Sequence, residues 1–168
     1  MITYHPARDV NHCAFRLISL LRDIEQNKTD WERLKLLDFY FLFPHFLVDI
    51  TLPRNPILTK KELQKIEKPY EAITNPRKML FELRALHNAA IRGLVAKGII
   101  NKELFLKNII KLEIGKLPEK LIGRIEENEK RATQWYRLIV NFLSKFPFNG
   151  KDGLKERSGL LEFRYDPS

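Results

Sequence analysis

The chain has 168 residues, of which 44% are apolar and 30% charged, enough for one domain with a real core and ordinary for a soluble globular protein. A lone cysteine, Cys13, excludes an intramolecular disulfide and a multi-thiolate zinc site and fits a reducing cytoplasm. The net charge of +9 is uneven, +1 over residues 1–75 and +8 over residues 76–168, which suits nucleic acid, an acidic protein partner or simply a solvated basic face.

Asp9 caps a first helix whose apolar residues Val10, Cys13, Ala14, Leu17, Leu21 and Ile24 recur at spacings of three and four, so one face points to a core. Asp9, His12, Arg16, Ser19 and Asp23 form a polar stripe on the other side, expected either as a solvated face or as a face buried by the 39–44 region or a partner. Thr29-Asp30-Trp31-Glu32 has the capping-box pattern and opens a second helix that Pro44 kinks or ends. Residues 39–48 are apolar on nearly every side, which implies a central buried helix or one partly covered by another subunit. At about half of the ~20 residues a span requires, this run is too short to cross a membrane. Without a basic, apolar leader pattern at the start, a soluble, unprocessed, cytoplasmic protein is expected.

Pro53 and Pro56 break the chain, and Thr59-Lys60-Lys61-Glu62 is a second capping box that starts a short helix. Asn75-Pro76 supplies an N-cap with proline at the first helical position, and Gly98 lies just past the far end of a long helix. A short helix and an apolar strand over 109–114 follow, the order found in winged-helix domains. Pro118 then opens a helix to about Phe146, in which Leu121, Ile125, Asn128, Ala132, Trp135, Ile139, Phe142 and Phe146 keep a seven-residue repeat. The apolar end of that repeat either packs internally or leaves the polar stretch 126–131 protruding toward another chain. Residues 160–165 read as a terminal strand able to pair with 109–114. The expected fold is mainly α with a minor β element, a single compact, winged-helix-like domain over 1–168 with a long C-terminal helix. It divides, if at all, into an N-terminal helical region over 1–75 and a winged-helix-like region over 76–168.

Catalytic patterns are missing. There is no G-x-x-x-x-G-K-[ST] phosphate cradle, no dinucleotide loop and no H-E-x-x-H, so neither ATP hydrolysis nor a cofactor is expected. His5, His12 and Cys13 match no metal spacing, and a helical wheel puts Cys13 on the apolar face, away from the base that a nucleophilic thiol needs. The basic residues Lys102, Lys107, Lys111, Lys116, Lys120 and Arg124 are candidates for nucleic-acid contact, with Lys107, Lys111 and Lys116 placed to follow a phosphate backbone along the strand.

The start His5-Pro6-Ala7-x-Asp9-x-x-His12-Cys13-x-Phe15-Arg16 resembles the small middle components of ABC-type three-component systems. The block 36–44, containing Asp38, Phe39, Tyr40, Phe43 and Pro44, is similar to that family's second signature, and Ala96-Lys97-Gly98-Ile99-Ile100 to its helix end. The resemblance implies a non-enzymatic adaptor that binds an SMC/Rad50-like ATPase and links it to an effector, often a nuclease, as in Lamassu-type anti-phage defence. It also implies that His5, Pro6, Asp9, His12, Phe15, Arg16, Asp38, Phe39, Tyr40, Phe43 and Pro44 serve partner binding. The competing expectation, drawn from the basic second half and the helix-helix-strand order, is a stand-alone winged-helix DNA-binding protein.

Overall fold

The computed structural model describes residues 8–53 and 58–161. Helix α1 spans Val10–Asp23, with the Asp9 carboxylate accepting from the amides of Asn11 and His12 at 2.8 and 3.1 Å. At its far end the Asn27 side chain donates to the carbonyls of Leu21 and Arg22, taking up two of the acceptors that a helix terminus leaves open. Gln26 and Asn27 reach that position through the left-handed region, at φ 61° and 53°. Strand β1, Lys28–Asp30, leads directly into α2, Trp31–Leu42.

The cap of α2 is Asp30, which accepts from the Arg33 amide at 2.8 Å, and not Thr29. Thr29 is instead held in the strand opposite Ile110, so the capping-box reading was displaced by one residue. Helix α2 ends at Phe43, and Pro44–Asp49 continues as a 3-10 segment, as Pro44 required. Leu36, Leu37, Asp38, Phe39, Tyr40 and Phe41 are all buried, so the second half of α2 is covered around its circumference by this chain's own residues, while Glu32 in its first turn is exposed. Each such apolar side chain removed from water stabilises the fold by about 1.5–3 kcal/mol.

The capping box at Thr59 and Glu62 forms as expected and starts α3, Lys60–Leu63. Asn75 caps α4, Pro76–Glu82, and after a single turn residue, Leu83, the helix resumes as α5, Arg84–Ala96. Gly98, at φ +73°, turns the chain out of α5, and the amides of Ile99 and Ile100 return to the Leu94 carbonyl. Helix α6, Lys102–Phe105, is capped by Asn101 and precedes strand β2, Ile109–Lys111. The succession of helix, short helix and strand is therefore present, but β2 pairs antiparallel with β1, with Lys28 opposite Lys111 and Asp30 opposite Ile109. An isolated bridge joins Ile100 to Leu112. The terminal strand expected over 160–165 is not formed at Leu160 and Leu161, and its remaining residues lie outside those described.

The single long helix expected from Pro118 to Phe146 is also corrected. Residues 118–146 form α7 at Glu119–Glu126, a 3-10 turn at Glu129–Ala132, α8 at Gln134–Arg137 and a π-helical segment at Leu138–Leu143. Asn128 and Thr133 cause the breaks: each side chain accepts a hydrogen bond from the amide two or three residues ahead, starting a new helix where a straight one would have continued. The carbonyls of Leu143 and Phe146, near the end of the π segment, accept from Nη1 of Arg33 at 2.8 and 2.6 Å. The last helix, α9, covers Leu154–Ser158. Ile125 and Ile139 are fully buried, and Trp135, Phe142 and Phe146 pack against the core, so the apolar members of the seven-residue repeat other than exposed Ala132 face inward.

Candidate functional site

The polar stripe of α1 is the most heavily used feature of the molecule. Arg16, only 6% exposed, meets fully buried Asp38 of α2 in a two-pronged ion pair, Nε to Oδ1 at 2.7 Å and Nη2 to Oδ2 at 3.0 Å. His87 of α5, also fully buried, bonds the same carboxylate from Nε2 at 2.8 Å, and its ring stands edge-on to Trp31 at 6.1 Å between centroids. Burial alone would raise the Asp38 pKa, but the Arg16 charge and the hydrogen bonds from His87 and Arg16 outweigh it and hold the carboxyl down at about 2. Burial likewise opposes the Arg16 charge and is outweighed by Asp38, so the guanidinium pKa is raised.

One turn further along α1, fully buried Ser19 lies 3.4 Å from the Tyr136 hydroxyl, which donates to Asp23 at 2.7 Å. Arg131 closes this second network with two 2.8 Å bonds to the Asp23 carboxylate. The stretch 126–131 thus folds back on the end of α1, where Glu126 also accepts from Arg22 at 2.6 Å, instead of standing clear of the chain. From Arg16 onward a solvated stripe is not what forms, because α2, α5 and the 131–136 segment enclose it, while His12 in the first turn stays exposed. Sequence reasoning missed His87, Arg131 and Tyr136. The available signal was Asp38 itself, the one acid inside an apolar run, which has to be paired when buried.

The signature residues divide by position. His5 and Pro6 lie outside the described residues. Asp9 caps α1, His12 is exposed, and Phe15 is half-buried beneath the Arg124 guanidinium, 5.4 Å from its ring centroid. Arg16, Asp38, Phe39, Tyr40 and Phe43 are inside the fold, and Pro44 is half-buried. Phe39 packs on Tyr40, Phe43 and Phe46 at 5.3–5.7 Å between ring centroids. Of the basic candidates, Lys102, Lys107, Lys116, Lys120 and Arg124 are exposed, while half-buried Lys111 donates to the Gln26 carbonyl.

Cys13 is fully buried next to the ion pair, and its thiol pKa is pushed up to about 12, chiefly by burial and then by the Asp38 charge. Donor atoms of Cys13, Asp38 and His87 lie within 4.8 Å of one another, the mixed set that can hold a transition metal. Here the carboxylate already accepts from Arg16 and from His87. The His12 and Cys13 side chains, one exposed and one buried, do not converge.

A family model described as ABC-three component (ABC-3C) system Middle Component 5 matches residues 2–166. The chain belongs to this family. As an ABC-3C middle component it is one member of a multi-component system and has partner subunits. No curated protein and no solved structure matches it. Among the described residues of this middle component no helix is long and apolar enough to cross a membrane. Two of the residues that carried the family resemblance in the sequence, Arg16 and Asp38, join α1 to α2, and His87 brings in α5.

Proposed function

We propose that this middle component is a non-enzymatic adaptor of an anti-phage defence complex of the Lamassu kind. It binds an SMC/Rad50-like ATPase, links it to an effector such as a nuclease, and restrains that effector until foreign or aberrant DNA is sensed. The observation that carries this reading is the family match along nearly the whole chain. Two features support it. The most reactive side chain, Cys13, is sealed in the core with its thiol pKa raised, and the signature residues Arg16 and Asp38 are consumed in building the fold. Neither leaves an exposed nucleophile and base pair of the sort that covalent catalysis requires.

Contact with DNA is assigned to the assembled complex. It is favoured by Lys102, Lys107, Lys116 and Lys120, which are exposed and form no ion pair among the described residues. Co-expression with the other two components and affinity purification of this chain tests the adaptor role: stable recovery of both components is expected, and recovery of neither would overturn it. If the isolated chain alone shifts duplex DNA in a salt-dependent way, and Lys102→Glu, Lys107→Glu and Lys116→Glu together abolish the shift, the stand-alone DNA-binding reading prevails.

A further inference from the structure

Residues 147–153 tie the π segment to α9 by a short, closed loop. The Leu154 amide donates to the Pro147 carbonyl at 2.7 Å and the Lys155 amide to the Phe148 carbonyl at 3.0 Å, and Leu154 is fully buried. Gly153 passes so close that a Cβ there would stand 2.6 Å from the main-chain oxygens of both Phe148 and Asn149. Inside this loop one peptide is left untethered. Asn149 and Gly150 are both exposed, and Gly150 turns at φ +84° with open space beside it. The Asn149 side chain, its main-chain carbonyl and the Gly150 amide make no hydrogen bond among the described residues.

An asparagine followed by glycine lets the next amide nitrogen reach the side-chain carbonyl carbon with least hindrance, because glycine carries no Cβ. Asn149 is the sole asparagine of the chain with that neighbour. Asn55 and Asn75 precede prolines, which have no N–H to attack with. Asn27, Asn101 and Asn128 are held by hydrogen bonds at helix ends. Asp152-Gly153 has the same neighbour without the freedom. The Asp152 amide donates to Glu156 at 3.1 Å, its carbonyl accepts from Arg157, and the Gly153 amide, the nitrogen that would attack, already donates to the Gly150 carbonyl at 3.1 Å.

We propose that Asn149 is a self-modification site of the folded protein, which the Gly150 amide converts through a cyclic imide to isoaspartate and aspartate, slackening the hold on α9. The deprotonated Gly150 nitrogen bonds to Asn149 Cγ, the Cγ–Nδ2 bond breaks, and Nδ2 leaves as ammonia. Water then opens the ring. Addition at the side-chain carbon breaks the new Cγ–N bond and leaves aspartate; addition at the main-chain carbon breaks the original peptide bond and leaves isoaspartate. Both products put a new carboxylate next to Lys151. Isoaspartate also routes the main chain through Cβ and Cγ, one atom longer, where Asn149 and Gly153 leave no space. The bonds from Leu154 and Lys155 are the ones strained by that extra atom.

The purified chain is incubated at physiological temperature, folded and in urea, and digested with trypsin. Cleavage after Lys145, Lys151 and Lys155 puts Asn149 in one peptide and Asp152 in the next, so mass spectrometry reads each site separately. Asn149 is expected to convert in the folded chain within about tenfold of its rate in urea, while Asp152 isomerises at least about tenfold faster in urea than in the fold. Conversion rises with pH, since the attacking group is the deprotonated amide, and Asn149→Gln abolishes it. Conversion of Asn149 in urea alone, or no faster than at the other asparagines of the folded chain, overturns the site. Hydrogen exchange at the Leu154 and Lys155 amides is then compared in fresh and aged protein. Exchange at least about tenfold faster after ageing, and unchanged in aged Asn149→Gln, is expected; equal exchange in fresh and fully converted protein overturns the slackening of α9.

Discussion

Asp38→Asn is the sharpest test of the buried network. The substitution keeps shape and volume but removes the charge that answers Arg16, and its amide nitrogen has to face either Arg16 or His87, both of which donate to the present carboxylate at 2.7–3.0 Å. With Arg16 6% exposed and Asp38 fully buried, water cannot replace the lost partner. Breaking a buried pair from one side costs about 3–5 kcal/mol, a large share of the ~5–15 kcal/mol that holds a domain together. At ~2–4 °C per kcal/mol for a chain of this size, the melting midpoint falls by about 6–20 °C. Thermal unfolding followed by circular dichroism measures this directly. Arg16→Met combined with Asp38→Leu removes both charges and leaves only a neutral His87 unsatisfied, at about 1–3 kcal/mol, so the double variant is expected to be more stable than Asp38→Asn. A loss below about 1 kcal/mol for Asp38→Asn, or a double variant no better than the single, would refute the reasoning.

The same carboxylate sets an acid limit. Its pKa is about 2 in the folded chain against an ordinary 3.8, so the ionised form binds the fold more tightly, and that stability is present above pH 4 and lost as pH falls from about 4 to 2. Urea unfolding at pH 5, 3 and 2 is expected to show a loss of about 2 kcal/mol from this group that Asp38→Asn abolishes; an unchanged acid slope in the variant would contradict it. Cys13, with its thiol at about 12, reacts slowly with iodoacetamide in the folded protein and fully in denaturant. Rapid native labelling would mean that α1 opens readily or that the thiolate is stabilised. Tyr136→Phe removes the hydroxyl donated to Asp23 and costs about 1.5–3 kcal/mol, read as a lower urea midpoint, and a change of a few tenths would show the bond to be replaceable by water. Gly98→Ala puts a Cβ into a left-handed turn at φ +73° and costs about 1–2 kcal/mol by the same readout, although the space beside it is open.

Local signals in the sequence were legible wherever the chemistry was local. Asp9, Thr59 with Glu62, and Asn75-Pro76 mark helix starts because a side chain satisfies amides two or three residues away, and each was found where expected. The burial of Phe39, Tyr40 and Phe41 followed from the apolar run over 39–48. What escaped was what depends on distant residues. The periodicity of residues 118–146 fits a straight helix and also fits separate turns that each face inward, and the caps at Asn128 and Thr133 decided between them. Arg16 sat on the polar stripe by its angle around α1, yet its fate was fixed by Asp38 and His87, which are 22 and 71 positions away in the sequence. The pairing of β1 with β2 had no local mark, since three-residue strands carry too little pattern to name a partner.

That pairing has a consequence for how the chain is made. β1 leaves the ribosome about 80 residues before β2, and at roughly 5–20 residues per second it waits about 4–16 seconds with its backbone donors and acceptors unpaired. Until His87 emerges, 49 positions after Asp38, that carboxylate and Arg16 have no imidazole beside them. The early stretch of the chain is therefore exposed to nascent-chain misassociation until residues near 111 emerge. A translational pause shortly after β1 would prolong the hazard, while one placed after β2 would let the two strands close before the rest of the protein follows.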